Sequence, residues 1–77
     1  MEDAQILKLF GKQLQAARLA KDWSQEKLAF EADLDRTYVS SVERGRRNIS
    51  IVNIYKLAKA LDVAPHSLLI RVGGGDE

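Results

Sequence analysis

Ser24-Gln25-Glu26-Lys27-Leu28-Ala29-Phe30-Glu31-Ala32-Asp33-Leu34-Asp35-Arg36-Thr37-Tyr38-Val39-Ser40-Ser41-Val42-Glu43-Arg44 decides how this chain folds. It reads as two short amphipathic helices joined by a tight polar turn. Ser24 is a good N-cap, because its hydroxyl can take a free backbone N–H. Gln25 and Glu26 follow in the first turn, and Leu28, Ala29 and Ala32 face inward. Lys27 stands where a full capping box would want Glu or Gln, so that motif is incomplete. Asp33-Leu34-Asp35 makes the turn, with Leu34 plugging the core and Asp35 as the N-cap of the next helix. That helix runs from Arg36 to about Arg44 and buries Val39 and Val42. Its outer face is small and polar. Gly45 ends it as a left-handed cap, and the basic run Arg44-Gly45-Arg46-Arg47 follows.

Working outward, the periodicity predicts three more helices and no strands. The first covers roughly Gln5 to Lys21, with Leu7, Phe10, Leu14 and Ala17 at three- and four-residue steps on its buried face. After the loop Arg46-Arg47-Asn48-Ile49, Ser50 caps a fourth helix whose apolar face is Ile51, Ile54, Leu57, Ala58 and Leu61. Asp62-Val63-Ala64 is a short link. Pro65 suits the first turn of a fifth helix, where a missing N–H is not needed. That helix extends to about Arg71 and offers Leu68 and Leu69. The expected organisation is one all-α domain over 5–71, with 1–4 and 73–77 as flexible termini.

The chain has 77 residues, no cysteine and a net charge of only +1. That length supports one small domain. Without cysteine, disulfides and thiolate metal sites are excluded. No apolar run approaches the ~20 residues of a membrane span. Met1-Glu2-Asp3-Ala4 lacks the basic start of a signal peptide, so a cytoplasmic, membrane-free protein is expected. The charge distribution is more telling than the sum. Glu2, Asp3, Asp76 and Glu77 sit at the ends, leaving twelve Lys/Arg against seven Asp/Glu between them. Arg36, Arg44, Arg46 and Arg47 crowd into one stretch, a basic patch of the kind that tracks phosphates.

Two helices at this spacing, the second polar and followed by arginines, form the pattern of a helix-turn-helix. Ser24-Gln25, Leu28-Ala29, Leu34, Val39-Ser40, Val42-Glu43-Arg44-Gly45 and Leu57-Ala58-Lys59-Ala60-Leu61 resemble the Cro and phage-repressor family over Phe10 to Leu69. Asp35 to Ser40 and Val42 to Ser50 are most similar to the controller proteins of restriction–modification systems, small dimeric regulators. The resemblance implies a five-helix, lambda-repressor-like domain whose second and third helices form the DNA-binding motif. It implies that Arg36, Thr37 and Ser40 reach base edges, that Arg47 does so from the loop, and that Tyr38 is a further base-contact candidate whose ring packs while its hydroxyl meets DNA. It places Gln25 at a phosphate-binding helix start. Ser24, Arg44, Arg46, Asn48 and Ser50 are further phosphate candidates, with Ser24, Asp35 and Ser50 caps first. Arg18 and Glu43 correspond to a partly buried structural ion pair. Asp22 and Asp33 stand where glycine is common in the family, at roughly 1 kcal/mol each in a left-handed backbone.

The implied partner is double-stranded DNA with two half-sites, bound by a homodimer, and RNA polymerase is the candidate protein partner. Ile49, Ile51, Tyr55, Leu69 and Val72 are the candidates for a two-fold seam, about half of them being needed for the core itself. Two other classes fit less of the chain. A phage or chromosomal repressor would share the same third helix, and an antitoxin would need a toxin-binding segment for a protein partner. An enzyme is the weakest class. His66 is the single histidine, and no triad, paired-carboxylate site, metal-ligand spacing or phosphate-binding glycine loop accompanies it. No cofactor is implied.

Overall fold

The computed structural model describes residues 2–69. Four α-helices appear in the order α1 Asp3–Ala20, α2 Gln25–Ala32, α3 Arg36–Glu43 and α4 Ile51–Leu61, followed by a 3-10 helix, Pro65–Leu69. Among the described residues there is no strand. The first helix starts at Asp3 rather than Gln5. The Glu2 N–H donates to the Gln5 side-chain oxygen at 2.9 Å, which satisfies one of the free donors of the first turn. Residues 3 and 4 are therefore helical, not part of a flexible end.

The fifth segment departs from expectation in kind. It is wound as a 3-10 helix and not as an α-helix. Ser67 explains the tightening: its N–H reaches the Ala64 carbonyl at 2.9 Å, and its hydroxyl donates to the same oxygen at 2.7 Å. That is the i to i+3 closure of a 3-10 turn. Arg71, Val72 and the 73–77 tail lie outside the described residues.

All four α-helices end the same way. A residue with positive φ closes each: Asp22 at 60°, Asp33 at 58°, Gly45 at 74° and Asp62 at 59°. The next N–H then reaches back to a carbonyl five residues earlier: Trp23 to Arg18, Leu34 to Ala29, Arg46 to Ser41 and Val63 to Ala58, all within 2.9–3.2 Å. This is the Schellman closure, which is completed by an apolar contact from the residue after the left-handed one. Trp23, Leu34 and Val63 supply it, each half-buried against the core. Aspartate takes the strained position three times because its short side chain tolerates left-handed backbone better than most.

The core takes Phe10 and Leu14 from α1, Leu28, Ala29 and Ala32 from α2, Val39 and Val42 from α3, and Leu57, Ala58 and Leu61 from α4, with Leu68 closing the end. Leu7 is only half-buried. The α1–α3 crossing is set by Gly11. A side chain there would place its Cβ 2.6 Å from the Val42 carbonyl oxygen and closer still to that of Glu43. The two backbones thus pack directly against each other, which holds α3 at a fixed distance from α1.

Two opposite substitutions test this account. Gly11→Ala should destabilise the domain by about 1–3 kcal/mol, since the clash is with backbone and not with a movable side chain. Asp62→Gly should stabilise it by up to ~1 kcal/mol by relieving left-handed strain. Urea denaturation of each variant beside wild type measures both.

Candidate nucleic-acid interface

α3 shows one polar side to solvent. Thr37, Ser40, Ser41 and Arg44 fall on one stripe at helical spacing, with Arg36 at its start. Arg36, Thr37 and Arg44 are exposed, and Ser40 is half-buried. The opposite side carries Val39, Val42 and Glu43 into the interior. The sequence-expected base readers on this helix therefore share a surface. Asp35 occupies the N-cap position with extended backbone, but its side chain makes no capping bond. The expectation that it caps α3 is corrected: the first-turn N–H groups of this helix receive no bond from the Asp35 side chain.

Tyr38 and Arg47 are brought together from different elements. The Arg47 guanidinium lies 4.9 Å from the centre of the Tyr38 ring, within range for a cation–π contact. Asn53 of α4 donates to the Tyr38 hydroxyl oxygen at 3.0 Å, while the ring packs on the core. The Tyr38 ring is thus half-buried, and its hydroxyl, which accepts from Asn53, still has a proton to donate. Asn53 was missed in the sequence, because nothing local marks an asparagine in the first turn of α4 as a partner for a residue fifteen positions earlier.

Beneath this surface lies a buried charge pair. Arg18 Nε donates to Glu43 Oε2 at 2.7 Å and Arg18 Nη2 to Oε1 at 3.0 Å. The side chains are 9% and 2% exposed. Arg18 Nη1 donates to the Trp23 carbonyl at 2.7 Å, and Gln25 Nε2 donates to Glu43 Oε1 at 3.0 Å. A bidentate, fully bonded arrangement is what a desolvated pair requires. Gln25 is consequently a joint between α2 and α3, with one N–H committed inside. Trp23 was also missed as part of this joint. Its signal was available: it precedes the N-cap Ser24, where an apolar residue commonly pins the entry to a helix. Lys21 and Lys27 approach its ring at 5.0 and 5.5 Å.

Ser24 and Ser50 are caps. Ser24 Oγ accepts from the Lys27 N–H at 3.0 Å, and Ser50 Oγ accepts from the Asn53 N–H at 3.2 Å. Arg46 and Asn48 are exposed in the loop after α3. The seam candidates separate. Ile49 is half-buried against the core. Ile51, expected to share the buried face of α4, is 69% exposed, and Tyr55 and Leu69 are exposed with it. Val72 lies outside the described residues. Val52, not anticipated, is exposed too and lines an apolar groove with Ile51, Tyr55, Lys56 and Lys59. Its signal was an apolar residue three positions before Tyr55, off the core stripe of α4.

With this geometry in view, known proteins resemble the chain closely. A family model described as helix-turn-helix (HTH_3) matches residues 14–68. The control protein C.BamHI of Bacillus amyloliquefaciens is 58% identical over 62 residues, 79% of this chain and 76% of that protein. The crystal structure of the restriction–modification controller protein C.AhdI from Aeromonas hydrophila matches with a TM-score of 0.80 at 58% identity, covering 80% of this chain and 94% of that one. The controller C.Esp1396I, solved as a tetramer in complex with its natural 35 base-pair operator, matches with a TM-score of 0.76 at 35% identity, over 82% and 83% of the two chains.

Glu43→Ala should cost about 3–5 kcal/mol, because it strands a buried guanidinium. Gln25→Ala removes one of several bonds to the carboxylate and should cost only ~1 kcal/mol. Thermal and urea melts of the two variants give the comparison. A Glu43→Ala protein as stable as wild type would contradict the structural role given to the pair.

Proposed function

We propose, from the premise that the chain belongs to the HTH_3 helix-turn-helix family, that it is a sequence-specific DNA-binding transcription regulator of the restriction–modification controller type, working in the cytoplasm as a homodimer. The observation that carries the reading is the outer face of α3. It is polar and exposed, with Arg36 at its start and Arg44 at its end, and the controllers C.BamHI and C.AhdI are similar over most of the chain. α3 enters the major groove. Arg36 pairs its N–H groups with guanine O6 and N7, Thr37 and Ser40 contact neighbouring bases, and Arg47 reaches a base from beside Tyr38. Ser24, the second N–H of Gln25, Arg44, Arg46, Asn48 and Ser50 meet phosphates on either side and set the register.

A single module makes few base contacts, so two half-sites about 34 Å apart require a dimer. The exposed apolar residues Ile51, Val52 and Tyr55 of α4, with Leu69, make its seam. The C.Esp1396I tetramer on its operator supports an oligomer on DNA. RNA polymerase is the candidate protein partner in this reading.

The dimer should be evident by sedimentation at tens of micromolar, and Tyr55→Asp should yield a folded monomer with weakened operator binding. Arg36→Ala and Arg47→Ala should cost ~1–3 kcal/mol on the operator and little on scrambled DNA. Arg46→Ala should weaken both and lower the salt slope by about one. Titration of footprinted operator and scrambled duplexes across a salt series separates them. If Arg36→Ala lowers both affinities equally, α3 is not the base reader.

A further inference from the structure

α1 carries cations that the recognition surface above does not include. Lys8, Lys12 and Gln15 recur on one exposed ridge of this helix and line a groove with Arg44, Gly45 and Arg46 at the end of α3. The groove is held together by close packing: a Cβ on Gly45 would lie 2.7 Å from Lys8 Cγ and 3.0 Å from Lys8 Cα. The stem of Lys8 is thereby set against the loop that bears Arg46. Glu43 is the one acid in the lining, and its carboxylate is already taken by Arg18 and Gln25. The two ion pairs among the described residues are Arg18–Glu43 and Lys27–Glu31. Among the described residues, Lys8, Lys12, Arg44 and Arg46 thus share a groove whose lining holds no uncommitted carboxylate. Four like charges so placed repel one another and attract a polyanion.

We propose that Lys8 and Lys12 form a second phosphate-binding track on α1, gripping the sugar-phosphate backbone of the same duplex beyond the bases that α3 reads. The inference rests on the DNA-binding reading of α3 and extends it. Continuity identifies the occupant. Arg44 belongs both to the groove and to the stripe of Thr37, Ser40 and Ser41, so a backbone crossing the end of α3 runs directly into the groove. Lys8 and Lys12 are one helical step apart, roughly 6 Å along the axis, which lets them serve neighbouring phosphates. The contact carries no sequence information, and its role is to lengthen the footprint and fix orientation.

The test compares wild type with Lys12→Ala and Lys8→Gln, the second keeping the stem that packs on Gly45, after melts confirm that both fold. Each is titrated against a duplex bearing the footprinted operator with flanks, the same operator trimmed to its half-site edges, and a scrambled duplex, across a salt series. Each substitution should lower affinity for the flanked operator several-fold and reduce the salt slope by about one unit. The deficit should shrink on the trimmed duplex, where the flanking phosphates are gone, and Lys12→Arg should restore binding. Unchanged slopes in both variants, with operator still preferred over scrambled DNA, would overturn the α1 track and leave the function of α3 standing. Wild type that does not distinguish operator from scrambled DNA would overturn both.

Discussion

A single carboxylate, that of Glu43, holds three helices in register. It takes two N–H groups from Arg18 of α1 and one from Gln25 of α2, while its own backbone carbonyl lies under Gly11. Desolvating two ions offsets most of their Coulomb gain, so such a pair contributes geometry more than net stability. Geometry is what this protein needs. α2 and α3 have eight residues each, too short to persist alone in water. Their mutual angle is held by the shared core and by α1, which is pressed against α3 and bonded to it through Arg18.

The helix ends complete the rigidity. The repeated left-handed closure brings each chain reversal back over the core at once, and the residue that follows is spent as packing at three of the four ends. Links this short leave little freedom to reorient one helix against the next. On that frame the outer face of α3 can remain polar and almost without internal partners, with Tyr38 fixed from behind by Asn53 and beside Arg47. A surface already in position loses little conformational entropy when it meets a ligand. A chain of near-zero net charge can still present a cationic surface, because Arg36, Arg44, Arg46, Arg47, Lys8 and Lys12 lie on or beside α3 while the Glu43 carboxylate is committed inside.

Much of this was legible in the residues. The stripe Leu28, Ala29, Ala32, the pair Val39 and Val42, the caps Ser24 and Ser50, and the left-handed Asp22, Asp33 and Gly45 all follow local rules, since capping and periodicity act within one or two turns. Other features resisted. Pro65 signalled a helix start, yet the segment is 3-10, because Ser67 bonds back to Ala64 and only tertiary packing around Leu68 fixes so short a turn. Asp35 had the composition of a cap but makes no capping bond. Ile49 and Ile51, both candidates for the two-fold seam, part company: the loop residue packs on the core and the helical one, also expected on the apolar face of α4, is exposed. An apolar side chain does not announce which of two available faces it will cover.

The sequence by itself determined the order of the helices, where they stop, which residues of α2 and α3 turn inward, and the family to which the chain belongs. Each of these depends on spacing of 3.6 residues, on side-chain-to-backbone bonds or on the conformational tolerance of Gly, Asp and Pro, all properties of neighbours in sequence. The tertiary structure alone decided which groups meet across the fold. Tyr38 with Asn53, Gly11 against the end of α3, and Lys8 beside Gly45 join residues 15 to 37 positions apart, whereas the Arg18–Glu43 pair was expected through the family resemblance. Their bonds depend on crossing angles and on which polar groups lose water together, and no local pattern encodes those.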